Sequence, residues 1–239
     1  MTKLFLMPAS LLVLLSLSGC SSISEEECVL GDWYQIGLSD GQQGKRNSLA
    51  LYSKDCAKYN VGVDSSSYSQ GRLQGLTSYC TYENGILVGK ARVAYHKVCP
   101  ADLSKDFLAG YTPNFNLEQA KYRVVALKNN RHNYTTRLAE KNISVSERQQ
   151  LELDLASSKS ALESAESELA RYQVEWALAK LQREMGQINT ELAQPGASGL
   201  HKAQLNRRLA TLNSQRTYYE TLLQTGNTIK SINNIFDMF

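Results

Sequence analysis

Five cysteines are the residues of this chain whose type and spacing could support covalent chemistry or metal binding. Cys28, Cys56, Cys80 and Cys99 are separated by 28, 24 and 19 residues, so they lack the close cysteine pair of a structural zinc site. We therefore predict two disulfide bonds. Three pairings are open. We favour Cys80 with Cys99, which flank an Asn84-Gly85 turn sequence, and Cys28 with Cys56.

The three histidines, His96, His132 and His201, fall in separate segments and suggest neither a metal triad nor a shared imidazole site. An enzyme would have to combine His96 with Asp40 or Asp64, and no Gly-x-Ser-x-Gly nucleophile turn accompanies them. The glycines also lack the Lys-Ser/Thr that completes a phosphate-binding loop. The sequence thus predicts a protein that is not an enzyme and holds no cofactor or metal ion.

The N-terminus has the pattern of a secretory signal peptide, in which Lys3 precedes an apolar run over residues 4–17. This run is shorter than the roughly 20 residues that a membrane-spanning helix needs. Leu17-Ser18-Gly19-Cys20 resembles the lipobox of bacterial lipoproteins, which implies cleavage before Cys20 and lipid, including palmitate, on its thiol. The alternative is an ordinary signal peptide beside a chance cysteine.

The residues after Cys20 extend this prediction to a location. By resemblance to enterobacterial lipoprotein sorting, Ser21 and Ser22 imply the inner leaflet of an outer membrane, with the protein facing the periplasm. Each buried lipid methylene contributes about 0.8 kcal/mol, so lipid chains would hold the protein without a spanning segment. Residues 20–27 are predicted to form a lipidated tether, which reaches at most about 25 Å when extended.

A change of composition near Pro113 predicts two domains. Between Cys20 and Thr112 lie 10 of the 15 glycines and 8 of the 13 tyrosines, and residues 28–112 are predicted to form a disulfide-stapled domain. Residues 113–239 are rich in Ala, Leu, Glu, Gln and Arg and are predicted to be helical.

The formal net charge is +3, and charges of opposite sign alternate along the predicted helices instead of forming one basic run. This distribution predicts no nucleic-acid partner.

Two segments of the stapled domain have residues at helical spacing that would give each helix a face rich in glycine. The first set is Trp33, Ile36, Gly37, Asp40, Gly41 and Gly44, and the second is Tyr68, Gly71, Arg72, Gly75, Leu76 and Tyr79. Glycine costs about 1 kcal/mol against alanine inside a helix, so its repeated use predicts that two helix backbones approach closely. Residues 86–88 and 91–95 are predicted to form a short β-hairpin or an irregular loop.

The same domain carries a family resemblance. The residues concerned are Gly31-Asp32-Trp33, Ile36-Gly37, Asp40-Gly41, Gly44, Asp55-Cys56, Gly62-Val63, Asp64, Tyr68, Gly71-Arg72, Gly75-Leu76, Tyr79-Cys80, Asn84-Gly85, Gly89, Tyr95 and Val98-Cys99-Pro100. Over about residues 28–111 this pattern resembles the bacterial envelope lipoprotein family catalogued as domain of unknown function 2799. The resemblance implies the domain and an envelope location, and it brings no activity, substrate or catalytic residue.

The second half predicts a long helical hairpin. Apolar residues keep helical spacing over residues 117–192, with a break near 142–146 where Ser144 and Glu147 offer a second helix start. Two apolar stripes in the later part predict two packing neighbours. Residues 193–199 form a loop and residues 200–225 a returning helix, with a further extension to 238.

The predicted fold class is therefore mainly α: a small disulfide-stapled α domain with a short β-hairpin, followed by a long antiparallel helical hairpin or coiled coil. Such a protein fits a structural scaffold or adaptor of the envelope, bound to the membrane through Cys20 and to an unidentified envelope protein, or a second copy of itself, through the hairpin. One alternative is a cell-wall-modifying or hydrolase-like enzyme in residues 28–111. Another is the adaptor arm of an export assembly.

Overall fold

The computed structural model describes residues 22–196 and 198–225, and within them the chain forms α-helices and no β-strand. The helices are α1 (Glu25–Leu30), α2 (Trp33–Gln42), α3 (Leu49–Cys56), α4 (Ser65–Tyr79), α5 (Tyr82–Lys90), α6 (Ala101–Leu138), α7 (Val145–Leu192) and α8 (Gly199–Thr225), with a 3-10 turn at Ala57–Tyr59. The chain divides into two compact units between Gly75 and Leu76. Of the helices in these described ranges, none has both the length and the apolar content to cross a membrane.

The first unit is organised by a close crossing of α2 and α4. A methyl group added to Gly37 of α2 would lie 2.1 Å from the carbonyl oxygen of Tyr68, and one added to Gly71 of α4 would lie 2.0 Å from that of Tyr34. Gly75 meets the α2 backbone in the same way. These distances leave no room for a side chain, which confirms the close approach predicted from the glycine spacing.

The second unit repeats this arrangement with α5 and α6. A methyl group on Gly85 would lie 2.3 Å from the Phe107 carbonyl oxygen, and one on Gly110 would lie 2.2 Å from the Tyr82 carbonyl oxygen. All four crossing helices share the sequence pattern aromatic-x-x-Gly, which occurs as Tyr34 to Gly37, Tyr68 to Gly71, Tyr82 to Gly85 and Phe107 to Gly110. In each unit the aromatic residue of one helix thus presents its carbonyl to the glycine of the other.

The predicted β-hairpin is wrong. Residues 86–88 lie inside α5, whose N-cap Thr81 accepts a hydrogen bond from the Asn84 backbone N–H at 3.2 Å. Asn84-Gly85 is therefore part of a helix and not a turn, and Gly85 and Gly89, four residues apart, both lie against the backbone of α6. Residues 91–95 are irregular, and the Tyr111 hydroxyl holds them by donating to the Val93 carbonyl at 3.0 Å.

Both predicted disulfide bonds are present. Cys28 in α1 is bonded to Cys56 at the end of α3, and Cys80 after α4 is bonded to Cys99 before α6. The first disulfide lies in a core with Ile23, Trp33, Tyr52 and Tyr68, and the second adjoins a stack of rings, Tyr79, Tyr95, Phe107, Tyr111 and Phe115. Each unit therefore combines one disulfide with one glycine crossing.

The helical half begins earlier than the sequence predicts. The helix expected from Leu117 starts at Ala101, and Pro113, where the composition changes, lies inside it. The next residue, Asn114, is 7% exposed, donates to the Gly110 carbonyl at 2.8 Å and accepts a hydrogen bond from the Trp176 Nε1 at 3.1 Å. This contact fastens α6 to α7 next to the proline.

The predicted break after α6 is a complete reversal of the chain. Ser144 caps α7 by accepting from the Glu147 N–H at 3.1 Å, as the spacing of these two residues predicts. The reversal makes α6 and α7 an antiparallel pair, and α7, with 48 residues, is about 72 Å long. The break predicted near residues 142–146 thus separates two helices, α6 and α7, and the chain reverses its direction there.

The two apolar stripes of α7 have two neighbours, as predicted. Trp176 contacts α6, whereas Val174, Leu181 and Ile188 belong to clusters that include residues of α8. The loop predicted at 193–199 ends one residue earlier, since α8 begins at Gly199. The extension predicted to residue 238 lies outside the described residues.

Candidate interaction surface

The part of the antiparallel α6 and α7 pair that extends past the described end of α8 is the strongest candidate for a binding surface. We call residues 119–138 of α6, the turn 139–144 and residues 145–169 of α7 the distal arm. Leu222 of α8 packs against Ala170 and Val174, and Thr225 is the last described residue of α8. Within the described residues the distal arm is therefore a pair of helices.

Small side chains and polar contacts hold this pair together. Ala120, Val124 and Ala165 are buried, and the Arg131 guanidinium donates to the Ser158 hydroxyl at 3.1 Å. Ion pairs at Arg123 with Glu168 (2.8 Å), Lys128 with Glu166 (2.9 Å) and Arg137 with Glu147 (2.7 Å) join the helices. Exposed ion pairs each contribute about 1 kcal/mol or less to stability. These pairs therefore fix the register of α6 against α7 more than they stabilise the fold.

Apolar side chains nevertheless point outward from the distal arm. Tyr122, Val125, Val145 and Leu153 are between 55% and 76% exposed. A groove of about 410 Å³ runs beside Tyr122, and its apolar lining includes Ala120, Ala126, Leu127 and Tyr172. The Arg92 guanidinium lies 4.0 Å from the centre of the Tyr122 ring, and the aliphatic side chains are left in water. Exposed side chains of this kind offer the anchors that protein interfaces use.

Asp40, one of the residues considered for catalysis, is engaged in the core of the first unit. It is 2% exposed and accepts hydrogen bonds from the hydroxyls of Tyr52 at 2.8 Å and Tyr68 at 2.9 Å. The Lys45 ammonium donates to its other oxygen at 3.1 Å. Burial and the hydrogen bond to Asp40 raise the pKa of Tyr52 above its usual range. These hydrogen bonds satisfy the buried carboxylate, so its burial needs no catalytic role to explain it.

Asp64, also considered for catalysis, contacts the start of a helix. Asp64 precedes α4 and accepts hydrogen bonds from the backbone N–H groups of Ser66 and Ser67, both at 3.0 Å. It therefore caps the N-terminus of that helix. His96 belongs to the second unit, whereas Asp40 and Asp64 belong to the first. Among the described residues, no three His, Cys, Asp or Glu side chains form a group that could hold a metal ion.

The N-terminal segment departs from the predicted tether. Cys20 lies outside the described residues, but residues 22–27 are folded onto the first unit. The Ser22 N–H donates to Asp55 Oδ2 at 2.8 Å, and the Ser22 hydroxyl donates to the same oxygen at 2.7 Å. Ile23 is 5% exposed, and Ser24 forms a capping box with Glu27 at the start of α1. The sequence reasoning missed this contact because Asp55 is 33 residues away from Ser22.

The contact between Ser22 and Asp55 is expected to resist mild acid. The hydrogen bond from Lys58 and those from Ser22 lower the pKa of Asp55 below its usual value. An unfolded aspartate has a pKa of about 3.9, so any stabilisation is complete above that pH and is lost as the pH falls through the lower folded value. We expect the Ser22 amide resonance to stay unchanged from pH 7 to about pH 4. Asp55→Asn should shift it already at neutral pH, and a wild-type transition above pH 4 would contradict the assignment.

Over residues 22–196 and 198–225 the fold is thus helical, with a disulfide-stapled, glycine-crossed region and a long antiparallel hairpin. Residues 32–115 match the family model described as Protein of unknown function (DUF2799), the family that the residue pattern of this region resembles. The match spans both glycine crossings and ends in α6, before the distal arm. Neither a comparison with curated proteins nor one with solved structures found a match.

Proposed function

We propose that the protein is a lipoprotein of a bacterial outer membrane, anchored through lipid on Cys20 and facing the periplasm. Its helical hairpin binds another envelope protein, so that the chain acts as a scaffold or adaptor. The observation that carries the binding role is the distal arm: two helices with outward-pointing Tyr122, Val125, Val145 and Leu153 and no described third helix beside them.

Two features support a binding role over a chemical one, and a third supports the lipid anchor. The arm is long and is held in register by ion pairs, which suits a surface that must present side chains at defined positions. Asp40 has partners that explain its burial. The anchoring part of the proposal rests on the signal peptide pattern and on the lipobox-like Leu17-Ser18-Gly19-Cys20.

Photo-cross-linking in intact cells tests the binding role. A benzophenone amino acid at Val145, which is 76% exposed at the arm's tip, is expected to give an adduct of defined mass. The same probe at Tyr218, 48% exposed on α8, serves as the matched control and should give none. An adduct of twice the monomer mass would identify the partner as a second copy.

A shortened arm then shows whether the surface itself is needed. Deleting residues 124–137 and 153–166 removes about four turns from each helix and keeps the register, the turn and the probe at Val145. Since Val125 and Leu153 are removed, the adduct should disappear. Undiminished cross-linking by the shortened chain would contradict binding through the distal arm. Palmitate labelling that persists in Cys20→Ala would contradict the anchoring.

A further inference from the structure

The first described residue, Ser22, is fastened to α3 by two hydrogen bonds to the carboxylate of Asp55, at 2.8 and 2.7 Å. The following residue, Ile23, is buried in the core of the first unit. Only Ser21 separates Ser22 from Cys20. Since consecutive Cα atoms are 3.8 Å apart, the Cα atom of Cys20 is within about 7.6 Å of that of Ser22. A lipid attached to Cys20 would therefore emerge from the protein surface close to Asp55.

Exposed apolar side chains lie on both sides of this point. Leu51 is one helical turn before Asp55 on α3, hence on the same face of that helix, and is 57% exposed. Leu30, which is 73% exposed, lines a groove of about 330 Å³ together with Ser22 and Ile23. Neither leucine belongs to the core of the first unit.

A cation lies on the same face. Lys58 follows Asp55 by three residues, and its ammonium is 2.6 Å from Asp55 Oδ1 while 58% of its side chain stays exposed. The surface around Ser22 thus combines two outward leucines with a lysine whose side chain is more than half exposed and whose ammonium is paired with Asp55. Membrane interfaces favour this combination, because aliphatic side chains enter the boundary between headgroups and acyl chains and a lysine can reach lipid phosphate.

We propose that this face, formed by Leu30, Leu51 and Lys58 around Ser22, lies directly against the lipid bilayer. The inference rests on the proposed lipidation of Cys20. A covalent anchor only two residues from Ser22 keeps the face at the membrane, so that its docking is an intramolecular step with a high effective concentration. The fastening of Ser22 to Asp55 then orients the first unit, whereas a free tether would let it rotate.

Fluorescence quenching in vesicles tests this orientation. The full-length lipidated protein is reconstituted into phosphatidylethanolamine and phosphatidylglycerol vesicles, with an environment-sensitive fluorescent amino acid at position 51 or position 73. Leu73 is the matched control, because it is 56% exposed in the same unit and lies on the side of α4 opposite the Gly71 and Gly75 face. Nitroxide lipids are expected to quench position 51 about twofold or more over position 73.

Two further measurements separate the possible failures. Equal quenching at both positions in protein that floats with the vesicles overturns the inference and leaves the lipid anchor intact. Protein that fails to float overturns the anchor itself, and with it this orientation. Asp55→Ala should remain on the vesicles but lose the excess quenching at position 51, because Ser22 is released. Excess quenching retained in that variant would show that the fastening does not orient the face.

Discussion

Gly110→Ala is expected to lower the free energy of unfolding by about 2–3 kcal/mol, the cost of forcing an extra methyl group into a packed contact. The new methyl group would lie 2.2 Å from the Tyr82 carbonyl oxygen, a backbone atom that cannot turn aside. Helix α6 would have to move away from α5, and the ring stack that includes Phe107 and Tyr111 would move with it.

Gly186→Ala is the matched control for this substitution. Gly186 is also inside a helix of the second unit, and an added methyl group would meet no atom within 4 Å. Alanine is a better helix former than glycine by about 1 kcal/mol, so this variant should be more stable than the wild type. Urea unfolding followed by Trp176 fluorescence in a Trp33→Phe background reports on the second unit. If Gly110→Ala were as stable as Gly186→Ala, the close crossing would be refuted.

Asp40→Ala is expected to destabilise the first unit by about 3 kcal/mol, because two buried hydroxyls lose their acceptor at about 1–3 kcal/mol each. The two hydroxyls are those of Tyr52 and Tyr68, at 2.8 and 2.9 Å from Asp40. Lys45 adds less, since 48% of its side chain remains in water. Trp33, 4% exposed, reports this unfolding in a Trp176→Phe background.

Asp64→Ala provides the comparison, since it removes an exposed carboxylate that caps α4. The expected loss is about 1 kcal/mol, as is usual for a helix N-cap. The same pair of variants bears on the hydrolase-like alternative for residues 28–111. A stable, folded Asp40→Ala protein that had lost a cellular function would contradict the structural role of Asp40 and favour the enzymatic alternative.

Local patterns in the sequence were sufficient for features that depend on neighbouring residues. The 3.6-residue spacing of apolar side chains predicted the helices and both faces of α7, because burial on a helix repeats with that period. The Ser144 and Glu147 spacing predicted the start of α7. The favoured disulfide pairing is present, although the turn at Asn84-Gly85 on which the pairing of Cys80 with Cys99 was based is part of a helix.

Where two local patterns competed, only the tertiary contacts decided. Gly85 and Gly89 agree equally with a hairpin turn and with a helix that packs closely on another, and the presence of α6 selects the helix. Pro113 disfavours a continuous helix locally, but Asn114 joins α6 to Trp176 of α7, 62 residues away. Neither partner can be identified from the residues adjacent to these positions.

The sequence by itself determined that this chain is mainly helical, contains two disulfides, matches a family model over residues 32–115 and carries a lipobox-like Cys20. The tertiary structure decided that Ser22 is fastened to Asp55, that the glycine crossing occurs twice, and that α6 and α7 reverse into the distal arm. The physical reason is that periodicity and caps act within a few residues, whereas a crossing, a reversal or a buried carboxylate is stabilised by atoms distant in the chain.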